Sequence, residues 1–303
     1  MMCLTAQDKV FEEAEELFES FLGISVSAKQ IQRVSEYYGL QLEESEKSYQ
    51  EASSDVPLIS KEEVVYVMTD GSMVYTREEK WKEMKVGRIY SESSRIPIQE
   101  SRTEIMESLY VCTLGNNKDF IKKFEPYIEP YKHKVFIADG AKWIWNWVED
   151  FYSDSVQILD FYHAVEKLGT YAALVYKDVG ERRQWLDLQK QRLKSDEVDK
   201  VLEELKETAA KTKETTEVGK NLKDVIRYYE NNRERMKYGS FLKKGYLIGS
   251  GAIESAHRNV IQQRLKLSGQ RWSIDGAQRI ANLRAYRKSN RWESVVGQIK
   301  SAA

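Results

Sequence analysis

The sequence predicts an α/β fold flanked by helical regions. Five short apolar runs separated by polar turns fill residues 63–162, and apolar residues ahead of them recur at helical spacing. All four prolines, Pro57, Pro97, Pro126 and Pro130, lie in the first half of the chain, so everything beyond Pro130 can be helical almost throughout. With 303 residues, 41% of them hydrophobic, the chain can bury the core of one large domain or two ordinary ones. A disordered tail protein is excluded.

The first elements are helices. Val10, Phe11, Ala14, Leu17, Phe18 and Phe21 share one helical face, and a second helix runs from Ser27 to about Glu46. Residues 23–39, with Ser25 or Ser27 as a cap, could belong to a helix-turn-helix, but the acidity of this head favours a spacer or dimer-contact role. Strands are expected at Val64 to Met68, Lys85 to Tyr90, Leu109 to Thr113, Val135 to Ala138 and Val156 to Leu159. The first and fourth lack apolar/polar alternation, as central strands do. A helix carrying Trp143, Ile144, Trp147, Val148 and Phe151 follows Asp139. Residues 165–240 read as a long helical insertion. Val198, Val201, Leu202 and Leu205 form one stripe in it, and the Lys/Glu-rich stretch from Lys194 to Lys223 reads as a solvated two-helix arm. A glycine turn at Gly249 and Gly251, a helix to about Leu267, a break at Ser268-Gly269 and a helix from Ile274 close the chain. The division is therefore 1–60, an acidic helical head; 61–164, the first part of the core; 165–245, the insertion; and 246–303, the last core helix with a basic tail.

Charge is polarised along the chain. Residues 1–60 hold twelve acidic and four basic side chains, residues 251–303 three acidic and ten basic, and the formal net charge is only −1. Cys3 and Cys112 are the only cysteines, which argues against a disulfide scaffold or zinc ribbon and for a reducing compartment, with cytoplasm as the expectation. No stretch has the makings of a secretion signal or reaches the ~18 apolar residues of a membrane span.

Three strand-like runs end in aspartate: Asp70, Asp139 and Asp160. Carboxylates at C-terminal strand ends lie on the sheet edge where α/β folds place their sites. Two such charges ~4 Å apart repel by roughly 4 kcal/mol at an effective dielectric near 20, so a converging pair calls for a cation or a shared proton. Hard oxygen donors without His or Cys favour Mg²⁺ or Mn²⁺. The alternative is helix capping, since Asp139 and Asp160 both precede helical segments. Glu254, one turn into the helix after the glycine loop, is a third candidate; its plain alternative is an i,i+4 ion pair with Arg258.

These blocks carry a resemblance. Met68-Thr-Asp70-Gly with Trp81-Lys-Glu83-Met-Lys85-Val-Gly87, Ala138-Asp139-Gly140-Ala-Lys-Trp143, Gln157-Ile-Leu-Asp160-Phe-Tyr-His163, Ile248-Gly-Ser-Gly251-Ala-Ile-Glu254-Ser and Arg264-Leu-Lys-Leu-Ser-Gly269-Gln-Arg271-Trp272-Ser are collinear over residues 60–295. They resemble the transposases of bacterial insertion sequences in the ISKra group. The resemblance implies a ribonuclease-H-like mixed sheet with flanking helices, a helical insertion before the third acid, and Asp70, Asp139 and Glu254 as catalytic residues holding two Mg²⁺ or Mn²⁺ ions. Asp160 and His163 resemble an Asp-x-x-His motif with an accessory role in related transposases; a structural role for His163 is the alternative. The implied partners are double-stranded DNA, both transposon ends and target, and a second copy of the chain, with no membrane.

Such a site activates water and then a 3′-hydroxyl for attack on DNA phosphodiesters, with no covalent protein nucleophile. Arg258, Arg264, Lys266, Arg271, Arg279 and Arg284, interleaved with Trp272, are the expected nucleic-acid contacts; a solvated helical face is the alternative. These transposases generally carry a longer N-terminal region with zinc-binding cysteines, so the resemblance implies another end-recognition element or a truncated copy. A non-catalytic DNA-binding remnant and a hydrolytic nuclease of the same fold remain alternatives. A carboxylate-pair glycosidase leaves the basic tail unexplained.

Overall fold

The computed structural model describes residues 1–48, 60–99 and 102–301; Pro57 lies outside them. Helices α1 (Met2–Ala6), α2 (Phe11–Leu22) and α3 (Ala28–Ser48) come first. Strands β1 (Val64–Thr76), β2 (Lys80–Ser91), β3 (Arg95–Gln99), β4 (Arg102–Ile105) and β5 (Leu109–Leu114) follow, then α4 (Asn117–Phe124) and β6 (His133–Ala138). The chain continues with α5 (Lys142–Phe151), β7 (Val156–Leu159), α6 (Phe161–Val175), α7 (Val179–Lys194), α8 (Val198–Lys211), α9 (Glu217–Asn232) and α10 (Tyr238–Lys243). It ends with α11 (Gly251–Ala256), α12 (Gln263–Leu265), α13 (Ile274–Lys288) and α14 (Trp292–Ser301). A π-helical turn, His257–Gln262, separates α11 from α12. The fold is mixed α/β, and no helix among the described residues is long and apolar enough to cross a membrane.

Two compact units emerge, residues 1–134 with 252–303, and residues 135–251. They differ from the four expected regions chiefly because the acidic head and the basic tail, at opposite ends of the sequence, fold into one unit. Helix α3 crosses α13 so closely at Gly39 that a Cβ there would stand 2.5 Å from the Arg279 carbonyl oxygen, a contact only glycine permits. Asn282 adds a hydrogen bond from Nδ2 to the Gly39 carbonyl at 3.3 Å, and Lys123 pairs with Glu46 at 3.1 Å. Ala6, Ala14, Phe18 and Ile31 form the small core of the head.

In this first unit β1 and β2 make one long antiparallel hairpin, in register from Val65↔Ser91 to Thr76↔Lys80, and β5 adds to the other edge of β2 antiparallel. All three strands were expected, but β1 runs eight residues past Met68. Asp70 therefore lies in mid-strand and not at a strand end. The Asp70-Gly-Ser stretch has turn-like composition, yet it pairs with Val86, Lys85 and Met84, and that cross-strand pairing decides its conformation. The reversal comes later, with Lys80 at φ 61°. The small hairpin β3–β4 had no strong sequence signal.

In the second unit β6 and β7 are parallel, Val135↔Val156 to Ala138↔Leu159, joined through α5 as a parallel pair requires. Phe136, Trp147 and Tyr152 pack edge-on or tilted beneath this crossover. Helices α6 to α9 pack on one another; Leu168, Leu193, Val201, Leu205, Leu222 and Tyr229 are fully or almost fully buried among them. The stretch read as a solvated arm thus contributes the apolar stripe Val198, Val201, Leu202 and Leu205 to a helical core. Its charges pair on the outside, as in Lys206–Glu230.

Candidate functional site

On β1, Met68, Asp70 and Ser72 project to one face, and their antiparallel partners Arg88, Val86 and Met84 project to the same face. The segment after residue 251 is tied to that face at three points. Arg88 donates from Nη1 to the Ala252 carbonyl at 2.6 Å, His257 places Nε2 3.5 Å from Asp70 Oδ2, and Lys266 donates to Ser72 Oγ at 3.1 Å. Glu254 lies in sequence between the first two ties, two residues after Ala252 and three before His257. Its side chain is exposed. Arg88 is buried, bonded to Ser108 Oγ at 2.9 Å and set over the rings of Tyr90 and Tyr110.

The Asp70 side chain is 39% exposed and takes the Gly71 N–H on Oδ1 at 2.7 Å. The Asp70 carboxylate and the exposed Glu254 carboxylate are oxygen donors of the kind Mg²⁺ and Mn²⁺ accept. Among the described residues no group of three or more His, Cys, Asp or Glu side chains is gathered as a metal cluster. His257 is 4% exposed, and burial lowers its imidazole below the ordinary value, against the raising effect of the Asp70 charge.

Asp139 and Asp160 belong to the second unit. Asp139 follows β6 directly; its Oδ1 accepts the Ala141 N–H at 3.0 Å and its carbonyl accepts Trp145 Nε1 at 2.7 Å. The ring of Tyr228 lies where a Cβ on Gly140 would sit, 2.1 Å from Cε2. Burial and the charges of Asp139 and Asp160 raise the Tyr228 hydroxyl well above its ordinary value, leaving it a neutral donor.

Asp160 is fully buried and caps α6, accepting the His163 N–H at 2.8 Å; its other oxygen accepts the Ser250 N–H at 2.5 Å. With the Phe161 N–H on the Ile248 carbonyl at 2.9 Å, the start of α6 clamps the glycine loop. Burial alone would raise the Asp160 carboxyl, but the hydrogen bonds from His163 and Ser250 outweigh it and lower it. His163 Nδ1 stands 3.6 Å from Asp160 Oδ1, an ion-pair distance, and this carboxylate raises the imidazole to about 9. Asp160 is thus a positioning residue for the loop, and the capping alternative holds for it.

The basic residues separate into two groups. Arg258, Lys266 and Arg271 are exposed, and Arg279 is partly exposed and paired with Asp275 at 3.0 Å. Arg264, Arg284 and Trp272 are buried, which corrects their expected place on a DNA-facing surface. Arg264 lies between the rings of Phe11 and Trp272 and donates to the Ala6 carbonyl at 2.9 Å. Burial and the neighbouring Arg284 charge lower Arg264 to about 10. Arg284 donates to the carbonyls of Gln7, Asn259 and Val260 and pairs with Asp8 at 3.0 Å. Burial lowers it as well. Part of the tail's positive charge therefore fastens the tail to the acidic head.

Sequence reasoning gave no role to His257, Arg88 or Tyr228. The available signal for His257 was its position three residues after Glu254, on the same helical side. Nothing local marked Arg88 or Tyr228, whose partners are distant in sequence.

No curated protein matches the chain. A family model matches residues 5–297, nearly its whole length, and on this match the chain belongs to the uncharacterised protein family UPF0236.

Proposed function

We propose that this chain is a DNA transposase that cleaves and joins DNA phosphodiesters with Asp70, Asp139 and Glu254 in a ribonuclease-H-like core. The observation that supports the reading is a pair of ties, Arg88 to Ala252 and His257 to Asp70, which join the segment that carries Glu254 to the hairpin that carries Asp70. Asp139 enters as the second acid from the sequence resemblance alone. Bound Mg²⁺ or Mn²⁺ would supply nucleophile activation and stabilisation of the leaving oxygen.

The chain's own residues do the rest. Asp70 and Glu254 offer accessible oxygen donors, while Arg88, buried and multiply bonded, keeps α11 in place as charge develops during the reaction. Exposed Arg258, Lys266 and Arg271 offer cations to DNA phosphates in the segment that follows Glu254. Joining of paired ends calls for two copies of the chain acting together.

The test uses the full chain with Mg²⁺ or Mn²⁺ and linear DNA carrying the element's terminal sequence with a free 3′-hydroxyl. Covalent joining of that end to a plasmid target is the expected product. Hydrolysis without joining would assign the chain to the nucleases, and the absence of both reactions would leave it a DNA-binding protein.

A further inference from the structure

We propose that His257 is a nitrogen ligand of the metal site at Asp70, so that the site selects a first-row transition divalent cation over Mg²⁺. The inference rests on the reading of Asp70 as a metal ligand and goes beyond it by adding a residue and a metal preference.

Three observations support it. The His257 ring is 4% exposed, and neither ring nitrogen makes a hydrogen bond of good geometry, its polar neighbour being Asp70, through both carboxylate and backbone, an arrangement native interiors rarely leave without a use. Its Nε2 stands 3.5 Å from Asp70 Oδ2, too long for an N–H···O bond, normally ~2.7–3.2 Å. Two donors each ~2.1 Å from one ion and separated by ~90–110° lie roughly 3.0–3.4 Å apart, close to the distance seen. Finally, His257 opens the π-helical turn, a local widening that recurs at functional sites. This turn is fastened from α13 by Arg284, which donates to the Asn259 and Val260 carbonyls. The ring is thereby fixed beneath the carboxylate and not free to leave it.

The donor chemistry sets the preference. Mg²⁺ takes oxygen ligands and sheds water reluctantly, whereas imidazole suits the transition ions. A carboxylate–imidazole pair therefore discriminates where carboxylates alone would not.

The experiment is titration of the full, metal-free chain with Mn²⁺, followed by electron paramagnetic resonance. Free ion is counted from its signal, and pulsed measurements detect nitrogen bound directly to the bound ion. The expected result is a coordinated-nitrogen coupling in the wild-type protein that changes when histidine is supplied with ¹⁵N-labelled imidazole. His257→Gln and His257→Ala should abolish the coupling and weaken Mn²⁺ binding by about tenfold or more. Mg²⁺ affinity, measured by competition, should change by less than about threefold in the same variants. The wild-type spectrum needs no variant, so misfolding of a substituted protein does not decide the outcome.

Mn²⁺ bound in a manner lost in Asp70→Asn but without nitrogen coupling would overturn the role of His257 and leave the carboxylate reading intact. Nitrogen-coupled, Asp70-dependent Mn²⁺ in a protein that neither cleaves nor joins DNA would uphold the role of His257 and overturn the transposase reading. A wild-type chain that binds no Mn²⁺ would overturn both.

Discussion

Nη1 of Arg88 donates to the carbonyl oxygen of Ala252 at 2.6 Å, joining a buried cation on β2 to the helix that carries Glu254. The two residues are far apart in sequence, and their bond joins the segment that carries Glu254 to the strand paired with β1. Replacing Arg88 with Met keeps much of the volume and removes the tie. It leaves the Ala252 carbonyl and Ser108 hydroxyl short of a donor, a cost of about 2 kcal/mol. The expected thermal midpoint falls by roughly 4–8 °C. Cleavage should fall by about a hundredfold at temperatures where the variant is folded, because misplacement by ~1 Å is that expensive in rate. Calorimetry and a cleavage assay measure the two effects; unchanged cleavage in a folded Arg88→Met protein would remove this tie from the account.

The division of the basic tail predicts two different behaviours. Alanine at Arg258, Lys266 or Arg271 should leave the fold intact and lower the salt slope of DNA binding by about 0.9 for each phosphate no longer neutralised. Arg284→Met should instead destabilise the protein by about 3 kcal/mol, since three carbonyls are deprived of a charged donor, and leave the salt slope of the folded protein unchanged. Binding titrations over a range of salt, paired with denaturant unfolding, separate the groups.

The Asp160–His163 pair predicts a pH window. His163 is raised to about 9, so its contribution to stability is fully present below ~6.5 and is lost as pH rises through about 9. Asp160 is lowered, so its contribution is present above ~3.9 and is lost as pH falls through its depressed value. Stability from this pair is therefore greatest between those limits. His163→Asn should flatten the alkaline limb and, because the imidazole is one of the groups that lowers Asp160, weaken the acid limb as well; unfolding midpoints across pH 3–10 in wild type and variant test it. Identical alkaline limbs would show that the ion pair has no thermodynamic weight.

The sequence revealed the strands and helices better than their ends. The runs at Val64, Lys85, Leu109, Val135 and Val156 are all strands, because apolar residues that must be covered leave a local pattern. The length of β1 was not legible, since pairing with β2 overrides the turn-like composition after Asp70. Burial of Arg264 and Arg284 was equally hidden. An arginine with interior carbonyl partners looks in sequence like one facing solvent, and those partners, Ala6 and Gln7, lie at the other end of the chain. Asp160 illustrates the middle case: its capping role follows from the helix after it, but its second bond, to Ser250, follows only from the fold.

Glu254 offers the most direct test of the central claim. Cleavage of terminal DNA by Glu254→Gln should be compared with wild type and with Glu293→Gln, an exposed acid in the first turn of α14. The account predicts a loss of about a thousandfold or more for Glu254→Gln, with DNA affinity and thermal midpoint unchanged, and no loss for Glu293→Gln. Wild-type cleavage by a folded Glu254→Gln protein would contradict it.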